Sequence, residues 1–301
     1  MKKNLLKTVL IFCMGLVAFA VNAQEQEEPE SAAELAKELA NPNTTLGTMA
    51  FPIDFIMYNG DLPDANKQSS VLLNFQPSLP IPLSKGVNLF VRPLVPIYLS
   101  QPVMEAGGFE QKGINLGNIS ADIAVGKTWK SNTITILGMF GSFPTASDEA
   151  LRASQVSLGP EVMVAQIWSW GVLGLMVNHA WGLSNDEDED DFNTTTLPDV
   201  FWTASNSPLK SNVTAGQYFY VVNLKNAWQI TGQPTWAYNH NADEGNRFTF
   251  PIGTGINKVT KFGKLPVKLT MQYWYYLASP DTFGPQHQIR IQIAPVIPLP
   301  W

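Results

Sequence analysis

Cysteine is almost absent: the single one, Cys13, sits inside an apolar stretch near the start. Phe12 before it does not suit a lipoprotein signal. If the leader is removed, no disulfide, thiolate nucleophile or cysteine-based metal site is open to the remaining chain. Histidine is scarce as well, and His179, His240 and His287 show no paired metal-ligand spacing. Charge is thin at 15% and acidic on balance at −6, which argues against nucleic acid as a partner. No long apolar run follows the leader. The most apolar later stretch, residues 162–177, is broken by Gln166, Ser169, Gly171 and Gly174, so it reads as a hairpin rather than a spanning helix.

The leader itself is a basic start (Lys2, Lys3, Lys7), an apolar stretch from Val9 to Val21, and small residues around Ala23. That is the pattern of a secretory signal peptide over residues 1–23. About 13 apolar residues are too few to anchor a helix in a bilayer. Loss of its three lysines takes the net charge from −6 to −9.

What the remaining chain has is alternation. Val71, Leu73 and Phe75 oppose Leu72, Asn74 and Gln76; Ile119, Ala121, Ile123 and Val125 oppose Asn118, Ser120 and Asp122. Trp228, Ile230, Pro234 and Trp236 oppose Gln229, Thr231, Gln233 and Thr235, and Leu265, Val267, Leu269 and Met271 oppose Lys268, Thr270 and Gln272. Ile289, Ile291 and Ile293 oppose Gln288, Arg290 and Gln292. Such segments are long enough for tilted strands to cross a bilayer. A soluble sandwich also alternates, and the connections separate the two. Short ones near 82–86, 128–131, 168–170, 223–226 and 261–264 take turns with long ones near 59–68, 100–112, 144–153, 184–210, 239–246 and 279–286. Short periplasmic turns and long outer loops mark outer-membrane barrels. The fold expected is all-β: a transmembrane, antiparallel, up-and-down β-barrel of about twelve strands over 46–301. Aromatic pairs (Tyr218 and Tyr220, Trp236 and Tyr238) and the run Tyr273-Trp274-Tyr275-Tyr276 suit interfacial girdles. The bilayer and lipopolysaccharide are the partners implied, with Trp301 in register with the apolar face of the last strand as an address for outer-membrane assembly. Pro295, Pro298 and Pro300 cannot donate to a ladder and are misfits there.

Ahead of the barrel, residues 24–45 hold an acidic stretch and a short helix. Ser31 with Glu34 forms a capping box, Leu35 and Leu39 share a face, and Asn41-Pro42 ends the run. Ten or so residues make a marginal helix alone, so it is expected to dock, either as a plug in the lumen through Leu35 and Leu39 or beneath it in the periplasm.

These words resemble a bacterial family labelled "MetA-pathway of phenol degradation", whose members are called transporters or neuromedin-U-like. The resemblance runs over the segment from Ser31 to Pro42, over Phe143-Pro144-Thr145-Ala146-Ser147-Asp148 with Ser157-Leu158-Gly159-Pro160, over Val177-Asn178-His179-Ala180-Trp181, over Pro251-Ile252-Gly253-Thr254-Gly255, and over the strand from Pro266 to Tyr276. It implies an outer-membrane barrel and, by label, uptake of organic or aromatic compounds. It brings no catalytic residues and no cofactor, and the acidic insert after Trp181 departs from it.

Six charged residues fall on the polar parity and are the candidate pore lining: Arg92, Asp122, Glu161, Arg247, Lys268 and Arg290. Facing lipid, each would cost a few kcal/mol. Inside, they either set a field for a small solute or pair and hold the lumen shut. The run Asp186-Glu187-Asp188-Glu189-Asp190-Asp191 lacks the spaced ligands of a calcium loop and reads as a solvated loop; no metal is assigned. A narrow channel for small solutes is the first functional reading. A lipid-modifying enzyme in the barrel wall, with His179 as base and Ser184 as nucleophile, is a second. An adhesin or structural barrel using the loop from 184 to 210 is a third.

Overall fold

The structure, a computed structural model, describes residues 32–183 and 211–301. The expected leader, Ser31, Ser184 and the acidic run 186–191 lie outside the described residues. A helix, α1 (Ala32–Glu38), precedes fifteen strand segments. In chain order these are β1 (Gly47–Asn59), β2 (Ser69–Ser84), β3 (Val87–Glu105), β4 (Gly108–Lys112), β5 (Asn115–Leu116), β6 (Ile119–Thr128), β7 (Thr133–Phe143) and β8 (Ser157–Trp168). They continue with β9 (Gly171–Gly182), β10 (Asn212–Asn223), β11 (Trp228–Gly232), β12 (Thr235–Asn239), β13 (Phe248–Phe262), β14 (Leu265–Ala278) and β15 (Gly284–Ile297).

Twelve wall positions close into one antiparallel barrel. Neighbours in sequence are neighbours in the wall, and β15 returns to pair with β1. The segments β11 and β12 share a single position between β10 and β13, while β4 and β5 stand off the wall against β3. Closure leaves no sheet edge. The alternation of short turns and long connections expected from the sequence is what the strand ends show.

The side chains are sorted inside out. Leu137, Met139, Ile123, Val125, Val164, Leu175, Met271, Ile291 and Ile293 point outward and are exposed, whereas their alternating neighbours Ile136, Ala124, Gln272 and Arg290 are buried. A continuous exposed apolar wall on a closed barrel is what lipid covers and water does not. The barrel is thus a membrane-spanning one of the outer-membrane type. No described helix is long and apolar enough to cross a membrane.

One expectation is corrected by the wall. Trp274 and Tyr276, grouped with the girdle aromatics, point inward and are buried; adjacent residues on a strand face opposite ways, so only Tyr273 and Tyr275 of that run meet lipid. Pro295, a misfit for a ladder, lies inside β15, opposite Val267 of β14. The price is local: on the β1 side, pairing stops between Thr48↔Val296 and Phe51↔Ile293.

Candidate functional site

The lumen is the site, and it has two unlike halves. From β3 through β10 its inner wall is apolar at one level: Phe90, Ala124, Ile134, Ile136, Met163, Ala165, Val172, Met176 and Val221 form one buried cluster. Alongside this cluster stands a charge triad. Arg92 Nε donates to Asp122 Oδ1 at 2.7 Å and its Nη2 to Glu161 Oε1 at 2.9 Å, with Met176 Sδ 3.6 Å away. Arg92 and Asp122 are direct cross-strand partners, and Glu161 reaches in from β8. Glu161 Oε2 finds no hydrogen-bond partner among the described residues. One guanidinium shared by two carboxylates leaves this wall acidic.

The opposite half, from β11 through β15 to β2, is polar. Arg290 forks onto Asp54, Nε to Oδ1 at 2.6 Å and Nη2 to Oδ2 at 2.8 Å. Gln288 Nε2 and Asn74 Nδ2 also donate to that carboxylate, the Trp274 ring covers the guanidinium at 4.5 Å, and all of these side chains are buried. Asp54 was missed in the sequence. Its signal was there, a lone acid on the parity opposite Ile53, Phe55 and Met57. Lys268 faces inward between Val259 and Ala294 and makes no ion pair among the described residues.

Arg247, expected in the lumen, is not in the wall. It lies one residue before β13, exposed in the outer loop, where its Nε donates to Ala242 O at 2.8 Å. Its parity is that of the inner face, but the strand begins only at Phe248 because the turn through Asp243 to Asn246 claims the preceding backbone. The structure therefore brings Arg92, Asp122 and Glu161 together, puts Arg290 and Lys268 on the other half, and leaves Arg247 outside.

The N-terminal segment crosses the mouth that carries the short turns. At one end, Leu35 and Ala36 of α1 pack on Val259 and Ala227, with Ala32, Leu39 and Leu46 beside them, and Gln229 Nε2 donates to Ala36 O at 3.0 Å. At the other end, Asn43 Nδ2 donates to Thr128 Oγ1 at 2.7 Å and Gly86 O at 3.1 Å, and Asn88 Nδ2 donates to Asn43 O at 2.9 Å. Between them Ala40 joins the apolar cluster. The two anchor points, β11–β13 and β3–β6, lie six wall positions apart out of twelve, which is across the diameter. Gly126 permits the seat: a Cβ there would lie 2.5 Å from Asn43 Oδ1. At the outer mouth two smaller clusters close in, Leu72, Tyr98 and Val103 under Ala146 and Leu151 of one loop, and Ile56 and Tyr58 under Ala65 and Phe283 of others.

The wall has one wide break. Pairing between the ninth position and β13 runs to Thr231↔Gly255 and resumes at Ala237↔Thr249, so five residues on each side do not pair with each other across this seam, although Gly232, Thr235 and Trp236 still pair with β10 and residues 250–254 with β14. Pro234 has no N–H to offer. On the lipid side, Tyr218 Oη donates to Pro251 O at 3.0 Å and Tyr220 Oη to Gly253 O at 3.2 Å, reaching from β10 across the gap. On the lumen side, Gln233 N donates to Gln272 Oε1 and Gln217 Nε2 to Gln233 O.

None of the three histidines faces the lumen. His179 and His240 bracket the Thr214 hydroxyl at 2.7 and 2.8 Å on the outer wall, and His287 bonds Tyr273 Oη at 2.7 Å. Ser184 lies outside the described residues. Among the described residues no group of three or more His, Cys, Asp or Glu is placed to hold a metal.

No family model matches the chain, and no curated protein does. Among solved structures it is similar to an outer membrane channel from Pseudomonas putida F1, with TM-score 0.55 and 13% identity over 84% of this chain and 94% of that one. It also matches the NanC porin (TM-score 0.46, 7% identity, 83% and 100% covered) and the CymD monoaromatic hydrocarbon channel (0.43, 7%, 87% and 92%). At such identities the first of these speaks for the fold.

Proposed function

We propose that this protein is a gated outer-membrane channel for small solutes, closed at rest by residues 32–46. The observation that carries the reading is the segment bonded at diametrically opposite points of the periplasmic mouth. A structural barrel has no need of a bar held by Gln229 on one side and by Thr128, Gly86 and Asn88 on the other. The charge pairs within the lumen support a narrow passage, since twelve strands lie between barrels filled by side chains and those with an open aqueous channel. The test is planar-bilayer conductance of the mature chain with and without residues 24–42. Larger steps after removal are expected; equal or absent conductance in both forms would overturn the gate.

A second reading concerns the solute. Among the described residues the break beside Gln233 and Pro234 is closed toward lipid by two phenols and neighbouring aromatics, which favours organic or aromatic compounds leaving through the wall. Organic or aromatic compounds, though not the route through the wall, are also what the resemblance to the phenol-degradation family implies. The measurement is phenol uptake by proteoliposomes whose plug is tied by a thiol cross-linker between cysteines at 43 and 128. Uptake that survives the tie supports a route through the wall, and uptake lost with ion conductance refutes it.

A further inference from the structure

We infer that the β13–β14 wall carries a binding subsite for the carboxylate of a small organic acid, built on Lys268, Thr270 and Gln272. The inference rests on the channel reading and names a solute class for it. On β14 these three residues alternate on the inner face, so they stand in one column. Asn257 of β13 and Gln292 of β15 flank Thr270, and Gly255 and Arg290 flank Gln272.

The column is short of partners in a consistent way. Thr270 Oγ1 and Gln272 Nε2 find no hydrogen-bond partner among the described residues, although Thr270 is 5% and Gln272 1% exposed. Buried polar atoms left this way are uncommon in native folds. Gln272 is held in place by its other end, where Oε1 accepts from Gln233 N at 3.1 Å and Trp274 Nε1 at 3.0 Å. Its amide N–H groups are therefore left as buried donors on the inner face of β14. The Thr270 hydroxyl and the Lys268 ammonium follow on the same face of β14, two and four residues away, so the column offers donors beside one positive charge. A carboxylate is the acceptor-only group that fits such a set. Asn257 Oδ1, likewise without a partner, offers one acceptor, so a hydroxyl on the same solute adds to the match.

Charge selects the column over the rest of the lumen. Arg290 is taken by Asp54, and Arg92 by two carboxylates. Lys268 is the inward cation without a counter-charge among the described residues. Across the barrel lies the apolar cluster around Ile136 and Met163, which suits an apolar body behind the acid group. The subsite adjoins the plug seat: Asn257 Nδ2 donates to Gln229 Oε1 at 3.4 Å, and the same Gln229 holds Ala36 O.

The test is equilibrium binding of benzoate to the folded mature chain by calorimetry, against benzyl alcohol of similar shape. Benzoate is expected to bind saturably, and Lys268→Gln to weaken it about tenfold, the scale of one hydrogen bond to a charged group. Lys268→Arg should retain most of the binding, and benzyl alcohol should show no dependence on residue 268. Thr270→Val, which keeps shape and removes the hydroxyl, should weaken benzoate several-fold and serves if the lysine variant fails to fold. Absence of saturable benzoate binding, or equal binding in Lys268→Gln, overturns the subsite and leaves its polar atoms to water. Binding that holds while plug removal leaves conductance unchanged would sink the gate and spare the subsite; the reverse pair of results would do the opposite.

Discussion

Asp54 and Arg290 sit directly opposite each other where the first strand of the barrel meets the last, joined by two hydrogen bonds of 2.6 and 2.8 Å and buried from solvent. The pair is therefore a clasp on the closing seam. Removing one partner strands a charge in a dry interior, a loss on the order of 3–5 kcal/mol. Arg290→Leu is expected to lower barrel stability by that order in urea unfolding from vesicles. Replacing both, as Asp54→Leu with Arg290→Met, should cost less than the single change, because no charge is left unmet.

Asn43 gives the plug its second anchor, and Gly126 makes room for it. Gly126→Ala brings a methyl against Asn43 Oδ1 and the Phe90 ring. The expected outcome is a more frequently open channel in bilayer recordings, with barrel stability lowered by about 1–3 kcal/mol because the methyl also crowds the buried Phe90 and Ile136. An unchanged open probability would argue that Asn43 is not what holds the bar.

Tyr218 and Tyr220 donate to two carbonyls, of Pro251 and Gly253, beside the wall break. Each phenol removed should cost about 1–2 kcal/mol, so Tyr218→Phe with Tyr220→Phe is expected to raise amide exchange selectively in residues 250–254. Exchange that rises evenly around the barrel would contradict a local role. Gly253 belongs to the same patch, since a Cβ there would meet Trp274 Cδ1 at 2.2 Å; Gly253→Val should displace the indole and shift its fluorescence.

Leu137 tests which face meets the lipid. It lies mid-strand on β7, paired with Val125 and Val162, and is 64% exposed. Leu137→Arg should destabilise insertion by about 2–4 kcal/mol, measured by folding into lipid vesicles. The same substitution at exposed Lys85, in a short turn, should change little.

Most of the barrel was legible because one physical constraint repeats along the chain: lipid outside and packed polar or apolar groups inside force a period of two. Ile123 against Asp122, or Met271 against Gln272, reveals its face without any tertiary knowledge. What escaped depends on partners far away in sequence. Asp54 gains its meaning only from Arg290, 236 residues later. Arg247 kept the right parity but lost its strand to a turn that parity does not encode. The break at Gly232 to Pro234 was hidden because apolar alternation continues through Trp236, while the loss of pairing rests on how far β10 tyrosines can reach. The docking of α1 could not be chosen from its stripe of Leu35 and Leu39, since both a luminal and an external site would bury them.

The segment at the periplasmic mouth is a crossbar rather than a cork. A cork leaves whole, but a bar fixed at two ends by different bonds can come loose at one end and swing from the other. The Asn43 end hangs on side-chain hydrogen bonds alone, whereas the helix end adds an apolar seat of Leu35 and Ala36 on Val259 and Ala227. On the proposed gate reading, the Asn43 end is the weaker latch and the helix end the hinge. Such an aperture has an intermediate position, with one crescent of the mouth free while the other is still covered by the tethered helix.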